Sequence, residues 1–207
     1  VVSASFSDDA IAWYENGVVD NTAPTVSSVS STTSNGSYNT GDVIAITVTF
    51  SENVTVSGTP QLTLETGSSD AVVNYSSGSG GSVLTFNYTV ASGHTSSDLD
   101  YKATSSLALN SGTIRDAAGN NATLTLASPG ATNSLGANKA IIIDTTIPTM
   151  VITATNGSSA VNDGATSNDG TLTMTFTSSE ATSNFAIGDI SVSGGAMSNF
   201  TASSSTV

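Results

Sequence analysis

The segment DVIAITVTF, residues 42–50, alternates large apolar side chains with mostly small or polar ones and decides the fold class of the chain. Successive side chains of a β-strand point to opposite faces, so this alternation predicts a strand that buries one face only. The side chains predicted to face a core are Ile44, Ile46, Val48 and Phe50.

Further segments show the same pattern, and turn-rich stretches such as SSGSGGS (residues 76–82) separate them. These segments are QLTLE (61–65), AVVNYS (71–76), VLTFNYTV (83–90), ATLTL (122–126) and KAIIID (139–144). Convincing helical periodicity is found nowhere in the chain. Short strands with turns at this spacing predict an all-β chain built of antiparallel β-sandwich domains.

The strand at residues 42–50 belongs to a block that occurs twice. The repeated pieces are VVDNTAPTV (18–26) with IIDTTIPTM (142–150), ITVTFSE (46–52) with LTMTFTSSE (172–180), and VTVSG (54–58) with ISVSG (190–194). Three landmarks in the same order predict a tandem repeat whose period is one sandwich domain. The predicted domains are residues 20–144 and a second, incomplete copy at residues 145–207.

Composition excludes several classes of function. The chain has 3 basic against 16 acidic side chains, a formal net charge of -13 and no cysteine. Phosphate binding needs lysine or arginine to displace counterions, so we expect no binding of nucleic acid. The lack of cysteine excludes disulfides and thiolate metal sites. No stretch approaches roughly 18 consecutive apolar residues, which predicts no membrane span.

The ordered segments of residues 20–144 resemble the bacterial Ig-like domains that are strung in tandem along large secreted adhesins and surface proteins. The segments that carry the resemblance are DNTAPTVSSVS (20–30), VTFSENVTVSGTPQLTLETG (48–67), LTFNYTVASGHTSSDLDY (84–101), IRDAAGN (114–120) and SLGANKAIIIDTTIPT (134–149). The second copy resembles a sibling subtype through NDGTLTMTFTSSE (168–180) and FAIGDISVSGG (185–195). The resemblance implies Greek-key Ig-like sandwiches, no enzymatic activity, and an extracellular or cell-surface location.

The first residues fit neither copy of the repeat. VVSASFSDDAIAWYENG (1–17) is similar to the closing part of an FG-GAP or VCBS-type β-propeller repeat. The resemblance implies that residues 1–19 are the C-terminal remnant of a preceding β domain.

Catalytic constellations are poorly supported by the sequence. His94, the only histidine, lies in a polar loop without a nucleophile elbow, so an exposed loop residue is favoured over a Ser-His-Asp triad. A glycosidase pair could be drawn from Glu15, Glu52, Glu65 and Glu180, but three of these lie at strand ends or in a repeat position, which disfavours it. An isopeptide cross-link would need Lys102 or Lys139 buried beside an acid and an asparagine, and solvated lysines are favoured. One histidine without cysteine disfavours zinc. We predict no catalytic residues.

Acidic residues of the repeat are predicted to meet at domain junctions. The first strand leaves the N-terminal pole of a sandwich, and the antiparallel strand that ends at Glu52 returns to it. Glu52 is therefore expected close to Asp20 and Pro24. The same reasoning places Glu180 near Asp144.

Three further acids lie in turn-like motifs, Asp98 and Asp100 in SSDLDY and Asp116 in IRDAAGN. Clustered carboxylates repel unless a hard cation separates them, and calcium takes about six to eight oxygen ligands of this kind. Tandem domains of the resembled group often carry calcium at their junctions, so calcium is the expected cofactor. The predicted ligands are Asp20, Glu52, Asp98, Asp100, Asp116, Asp144 and Glu180. For each of them, a solvated cap or an Asx turn is the alternative.

The linkers are predicted to be stiff, because Pro24 and Pro148 fix φ and neither junction phrase contains glycine. We therefore predict a structural or adhesive module whose domain junctions calcium stiffens into a rod. The expected partners are neighbouring domains of the same chain, with surface glycans, host or other cell-surface proteins and copies of itself as further candidates. Two alternatives are a subunit of an extracellular filament, sheath or surface layer, and an accessory carbohydrate-binding region of a secreted polysaccharide-active enzyme.

Overall fold

The computed structural model describes residues 19–202. The predicted propeller remnant therefore lies outside the described residues, except for Val19. The chain splits after Thr145 into two compact units, each of which is described by itself below.

The first unit consists of short β-strands and one helical turn. Its strands are β1 (Val26–Ser31), β2 (Gly36–Tyr38), β3 (Val43–Phe50), β4 (Thr55–Ser57), β5 (Gln61–Glu65), β6 (Ala71–Ser77), β7 (Val83–Thr89), β8 (Thr95–Ser96), β9 (Asp100–Tyr101), β10 (Leu107–Ala108), β11 (Thr113–Arg115) and β12 (Ile141–Asp144). The helix α1 (Leu135–Asn138) precedes β12. This composition confirms the predicted all-β, sandwich class.

One long sheet forms most of the first unit, with the strand order β1-β3-β7-β6-β5-β10 and β9 also paired to β5. β4 pairs with β11, and β12 lies between β2 and β8. Neighbouring strands are antiparallel except for β2 and β12, which run parallel. The sheets enclose a single apolar core to which almost every strand contributes.

β3 occupies the position that its alternating sequence predicts. It pairs with β1 on one side and with β7 on the other, both antiparallel. Its four predicted core residues are all buried, while the side chains between them are exposed or half-buried. β3 is therefore an interior strand of the main sheet that contributes four buried side chains to the core.

Aromatic residues fill much of that core, and their polar ends are hydrogen-bonded. Phe86 and Tyr101 have no exposed surface, and Tyr88 has 2%. The Tyr101 hydroxyl donates to the Ala127 carbonyl at 2.7 Å, and the Tyr88 hydroxyl lies 2.8 Å from His94 Nδ1. Both rings therefore bury their apolar body without leaving a polar atom unpaired.

The segment ATLTL (122–126) differs from its prediction as a strand. Thr123 forms one isolated parallel bridge with Thr25, and its N–H donates to the Pro24 carbonyl at 2.8 Å. Leu126 N–H instead donates to the Thr104 carbonyl, at 2.9 Å. The alternation predicted the burial of Leu126, but backbone bonds to different neighbours prevent a continuous ladder.

The second unit carries a small sheet in which β13 (Met150–Thr155) lies between β14 (Ala160–Val161) and β15 (Thr173–Ser178). A 3-10 turn follows at Ile187–Asp189. ISVSG (190–194) contains no strand, whereas its counterpart VTVSG contains β4, which has β11 as a partner. Among residues 146–202, Ser178 alone is buried, so this part of the chain has no enclosed apolar core.

No helix in the described part of the chain has the length and apolar character needed to cross a membrane.

Candidate metal centre

Asp20, Glu52 and Asp116 converge beside residues 20–25, the predicted entry linker, which lead into β1. One carboxylate oxygen of each residue lies within 4.8 Å of the other two. Asp20 is exposed, Glu52 is half-buried and Asp116 is buried. Among residues 19–202, these are the acids that the fold gathers into a group of three. The structure therefore brings one acid of the linker together with two acids of the domain.

The pairing of β1 with β3 places Glu52 in this cluster. Val26 lies opposite Phe50 at the end of the antiparallel ladder. Ser51 N–H then donates to the Thr25 carbonyl at 2.8 Å, and Thr25 N–H donates to Ser51 Oγ at 3.0 Å. This reciprocal pair continues the ladder by one step, so the residue after Ser51 stands beside the incoming linker.

A tight turn after β11 holds Asp116. Its N–H donates to the Asn120 carbonyl at 3.2 Å, while Asn120 N–H donates to Asp116 Oδ1 at 2.8 Å. The Asn120 side-chain amide donates to Asp116 Oδ2 at 2.7 Å. Burial raises the pKa of Asp116, but hydrogen bonds from Asn120, Gly119 and Ala118 outweigh it and hold the pKa below its ordinary value. The carboxylate is therefore kept ionised.

The surroundings of Glu52 raise its pKa, whereas those of Asp116 lower the pKa of that residue. Burial raises the pKa of Glu52, and the negative charges of Asp20 and Asp116 raise it further. All three influences disfavour the charged form of the carboxyl group. In the described residues, the ion pair of Lys102 with Asp70 is the only salt bridge, so no lysine or arginine pairs with this cluster. The three acids thus form a group of uncompensated negative charge.

The donor chemistry of the cluster fits a hard divalent cation. Carboxylate oxygens are the ligands that calcium prefers, and a full shell of about six to eight oxygens would be completed by backbone carbonyls or water. Asp20, Glu52 and Asp116 would hold the ion, which would reverse the repulsion acting on Glu52. Imidazole and thiolate ligands are absent from the group, which disfavours zinc.

Asn120 is the residue at this site that the sequence did not single out. Its side-chain amide donates to the Asp20 carbonyl at 3.0 Å and to the Thr22 carbonyl at 3.3 Å. The sequence signal was the end of the motif IRDAAGN, but the motif alone does not show that its asparagine reaches a linker 98 to 100 residues earlier.

Asp98 and Asp100 lie apart from the three-acid cluster. Asp100 is buried at the start of β9, where its carboxylate accepts from Tyr101 N–H at 2.8 Å and from Gly130 N–H at 2.9 Å. The Oδ2 atoms of Asp98 and Asp100 stand 3.4 Å and 3.1 Å from the place that a Cβ on Gly136 would occupy. Both acids therefore lie beside the turn at α1, and neither belongs to the group formed by Asp20, Glu52 and Asp116.

The two acids of the second predicted junction, Asp144 and Glu180, belong to different units. Asp144 ends β12, where it lies opposite Thr95. In the second unit, Thr149 and Ser179 repeat the reciprocal pair, with Thr149 N–H donating to Ser179 Oγ at 2.9 Å and Ser179 N–H donating to the Thr149 carbonyl at 2.9 Å. Glu180 follows Ser179 as Glu52 follows Ser51. The proximity of Glu180 to Asp144 stays a prediction.

His94 and Lys102, which were considered for catalysis and for cross-linking, make contacts with neighbouring side chains. His94 stacks on Tyr88 with ring centroids 5.9 Å apart, and its Nδ1 atom bonds to the Tyr88 hydroxyl. Burial raises the pKa of Tyr88 to about 12, so the phenol is protonated at neutral pH. Lys102 is about half exposed, and its hydrogen bond and ion pair with Asp70 raise its pKa. A protonated lysine is not a nucleophile, which disfavours an isopeptide bond at Lys102. The Nζ atom of Lys139 donates to the Thr33 carbonyl at 3.0 Å.

A mostly antiparallel β-sandwich of short strands is the class of fold to which immunoglobulin-like domains belong. The model of the bacterial Ig-like domain family matches residues 20–133. The match covers more than half of the chain, and the chain belongs to this family. The family is a non-catalytic, structural type of domain. Comparisons with curated proteins and with solved structures found no match.

Proposed function

We propose that this chain is a non-enzymatic structural or adhesive module of a large bacterial surface or secreted protein, and that calcium stiffens the junctions between its domains. The observation that carries the proposal is the convergence of Asp20, Glu52 and Asp116 at the linker. Membership of the bacterial Ig-like domain family supports an extracellular structural role, since such domains are commonly surface-exposed.

The position of the cluster explains how a bound ion acts on the linker. Asp20 belongs to the linker, whereas Glu52 and Asp116 belong to the folded domain. An ion held by all three connects the two parts and removes hinge freedom at the point where the chain enters. Pro24 is buried, fixes its own φ and restricts Ala23 before it, so it already limits the motion of the linker.

A tandem arrangement is supported by the second unit. β13 and β15 pair antiparallel in the way that β1 and β3 do. The reciprocal Thr149–Ser179 pair repeats Thr25–Ser51 with similar distances. Each copy therefore places a glutamate after a serine that is bonded to the linker, which is the arrangement that a repeated junction requires.

Calcium is expected to raise the thermal stability of the chain. At roughly 1 mM calcium and a Kd of about 10⁻⁴–10⁻³ M, one site contributes about 0.4–1.4 kcal/mol. For a chain of this size the melting temperature should rise by roughly 1–6 °C. Differential scanning calorimetry with calcium and with a chelator measures the shift, and Glu52→Gln should abolish most of it.

Magnesium at the same concentration is the control, because it requires near-ideal octahedral geometry and gives up its water ligands reluctantly. A melting temperature and a hydrodynamic radius that are both unchanged by calcium would refute the proposed metal role. Light scattering on the same samples measures whether the protein polymerises. Polymers that form with rising protein concentration would favour the filament alternative over a monomeric rod.

Without calcium, Glu52 is expected to make stability depend on pH. A carboxyl group whose folded pKa is raised stabilises the folded state below its unfolded pKa, and this contribution disappears as the pH rises through the folded pKa. In chelator, Glu52→Gln should therefore be at least as stable as the wild type at pH 7. Its advantage should vanish as the pH falls to the ordinary range of glutamate.

Urea unfolding of both proteins across pH 4–7 tests this expectation, since their difference isolates Glu52 from the other carboxylates. Asp116 provides the contrast, because its lowered pKa means that Asp116→Asn should reduce stability at neutral pH. A Glu52→Gln variant that is less stable than the wild type in chelator at pH 7 would contradict the repulsion described above.

A further inference from the structure

We propose that Asn120 is a positioning residue that fastens the entry linker to the first unit without a metal ion. Its place in the junction rests on the proposed function, but its contacts do not involve a cation. The consequence is that the linker is ordered before calcium binds, so that calcium acts on a preformed cluster.

The side-chain amide of Asn120 connects three acceptors. It donates to the carbonyls of Asp20 and Thr22 at 3.0 and 3.3 Å and to Asp116 Oδ2 at 2.7 Å. An asparagine amide has two N–H donors, so one of them is shared between acceptors. The hydrogen bond to the ionised Asp116 is the charge-assisted one and sets the orientation of the amide.

Asn120 is itself held in place by the turn after β11. Its N–H and C=O both bond to Asp116, as described above, and Ala122 N–H donates to the Ile114 carbonyl at 2.9 Å. The side chain is half-buried. A donor fixed on a closed turn loses little conformational freedom when it binds the linker.

The linker has two differently anchored parts. From Pro24 onward it is held by the backbone, because the Pro24 carbonyl accepts from Thr123 N–H and Thr25 bonds to Ser51. For residues 20–23, both long-range hydrogen bonds in the described structure come from Asn120. Asn120 therefore extends the ordered linker from Pro24 back to Asp20 and so brings the Asp20 carboxylate to the cluster.

The test compares Asn120→Ala with Asn121→Ala in the full chain, in chelator, by ¹⁵N relaxation. The backbone order parameters of Asn21 and Thr22 should fall from about 0.85 to below roughly 0.6 in Asn120→Ala, while Thr123 stays rigid. Asn121 is the matched control, since its side chain accepts from Arg115 Nε at 2.7 Å and does not bond to the linker. Unchanged order at Asn21 and Thr22 would overturn the proposal.

A second readout separates positioning from a general loss of structure. The pKa of the Asp116 carboxyl, followed by ¹³C NMR, should rise in Asn120→Ala and stay unchanged in Asn121→Ala, because the side-chain amide of Asn120 donates to that carboxylate and the side chain of Asn121 does not. If Asn120→Ala fails to fold, Asn120→Leu keeps the approximate size of the side chain and the backbone bonds while removing both donors, without adding a charge beside Asp116. A rigid residue 21–22 segment in that variant would equally overturn the proposal.

Calcium titration distinguishes this proposal from the metal proposal. Asn120→Ala should weaken calcium binding by about tenfold or more, as is usual for groups that orient metal ligands. Glu52→Gln should lose calcium binding but keep the linker ordered in chelator. If the wild type does not bind calcium but Asn120→Ala still loosens the linker, only the metal role is rejected. If the linker stays ordered in Asn120→Ala, only the positioning role is rejected.

Discussion

Phe86→Ala is expected to lower the free energy of unfolding of the first unit by about 3–5 kcal/mol. Phe86 has no exposed surface and lies in β7, next to β3 and β6 in the main sheet. It is opposite Ile46, and its ring meets that of Tyr75 edge to face with centroids 6.1 Å apart. Truncation removes apolar burial from the middle of the core and leaves a cavity that the flanking strands cannot close.

The matched control for Phe86→Ala is Val72→Ala on the neighbouring strand β6. Val72 is 56% exposed, so losing its methyl groups should change stability by under about 1 kcal/mol. Urea unfolding followed by near-ultraviolet circular dichroism of the buried tyrosines measures both variants. Equal losses in the two variants would contradict the placement of Phe86 in the core.

Gly78→Ala is expected to be the most damaging change in a turn, with a loss of about 2–4 kcal/mol. Gly78 follows β6 and has a φ of 110°, which side chains rarely tolerate. A Cβ at this position would stand 2.1 Å from the Val83 carbonyl oxygen, at the start of β7. The backbone would have to move, and the register of β6 against β7 depends on this turn.

Gly80→Ala separates the two causes of that loss. Gly80 has a φ of 90°, but a Cβ there would meet nothing within 4 Å. It should therefore show the conformational strain alone, about 1–2 kcal/mol. Chemical unfolding of both variants measures the difference, and a loss in Gly80→Ala that matches Gly78→Ala would contradict the close approach of Gly78 to β7.

The strand at residues 42–50 shows how much of the fold local sequence determines. Alternation with a period of two is a property of neighbouring residues, so β3 and its buried face could be predicted without knowledge of its partners. The same reasoning was insufficient for residues 122–126, where Leu126 is buried although no ladder forms. Burial follows from the pattern, whereas a ladder needs a neighbouring backbone that runs alongside it.

The candidate site was likewise predictable from the sequence only in part. The approach of Glu52 to Asp20 follows from strand direction, since an antiparallel pair returns the end of β3 to the start of β1. The separation of Asp98 and Asp100 from this cluster does not follow from their motif, because it depends on the pairing of β9 with β5. The side chain of Asn120 reaches the linker only after the turn behind β11 has packed against it.

Residue type, short-range period and strand direction are enough to predict the all-β class, the buried face of β3 and the approach of Glu52 to Asp20. The sequence did not show which of Asp98, Asp100 and Asp116 would join this pair, nor that Asn120 bonds to the linker beside it. Hydrogen bonds and charge repulsion act over a few ångströms. Which residues come that close, across about a hundred positions of chain, is set by the packing of the whole domain.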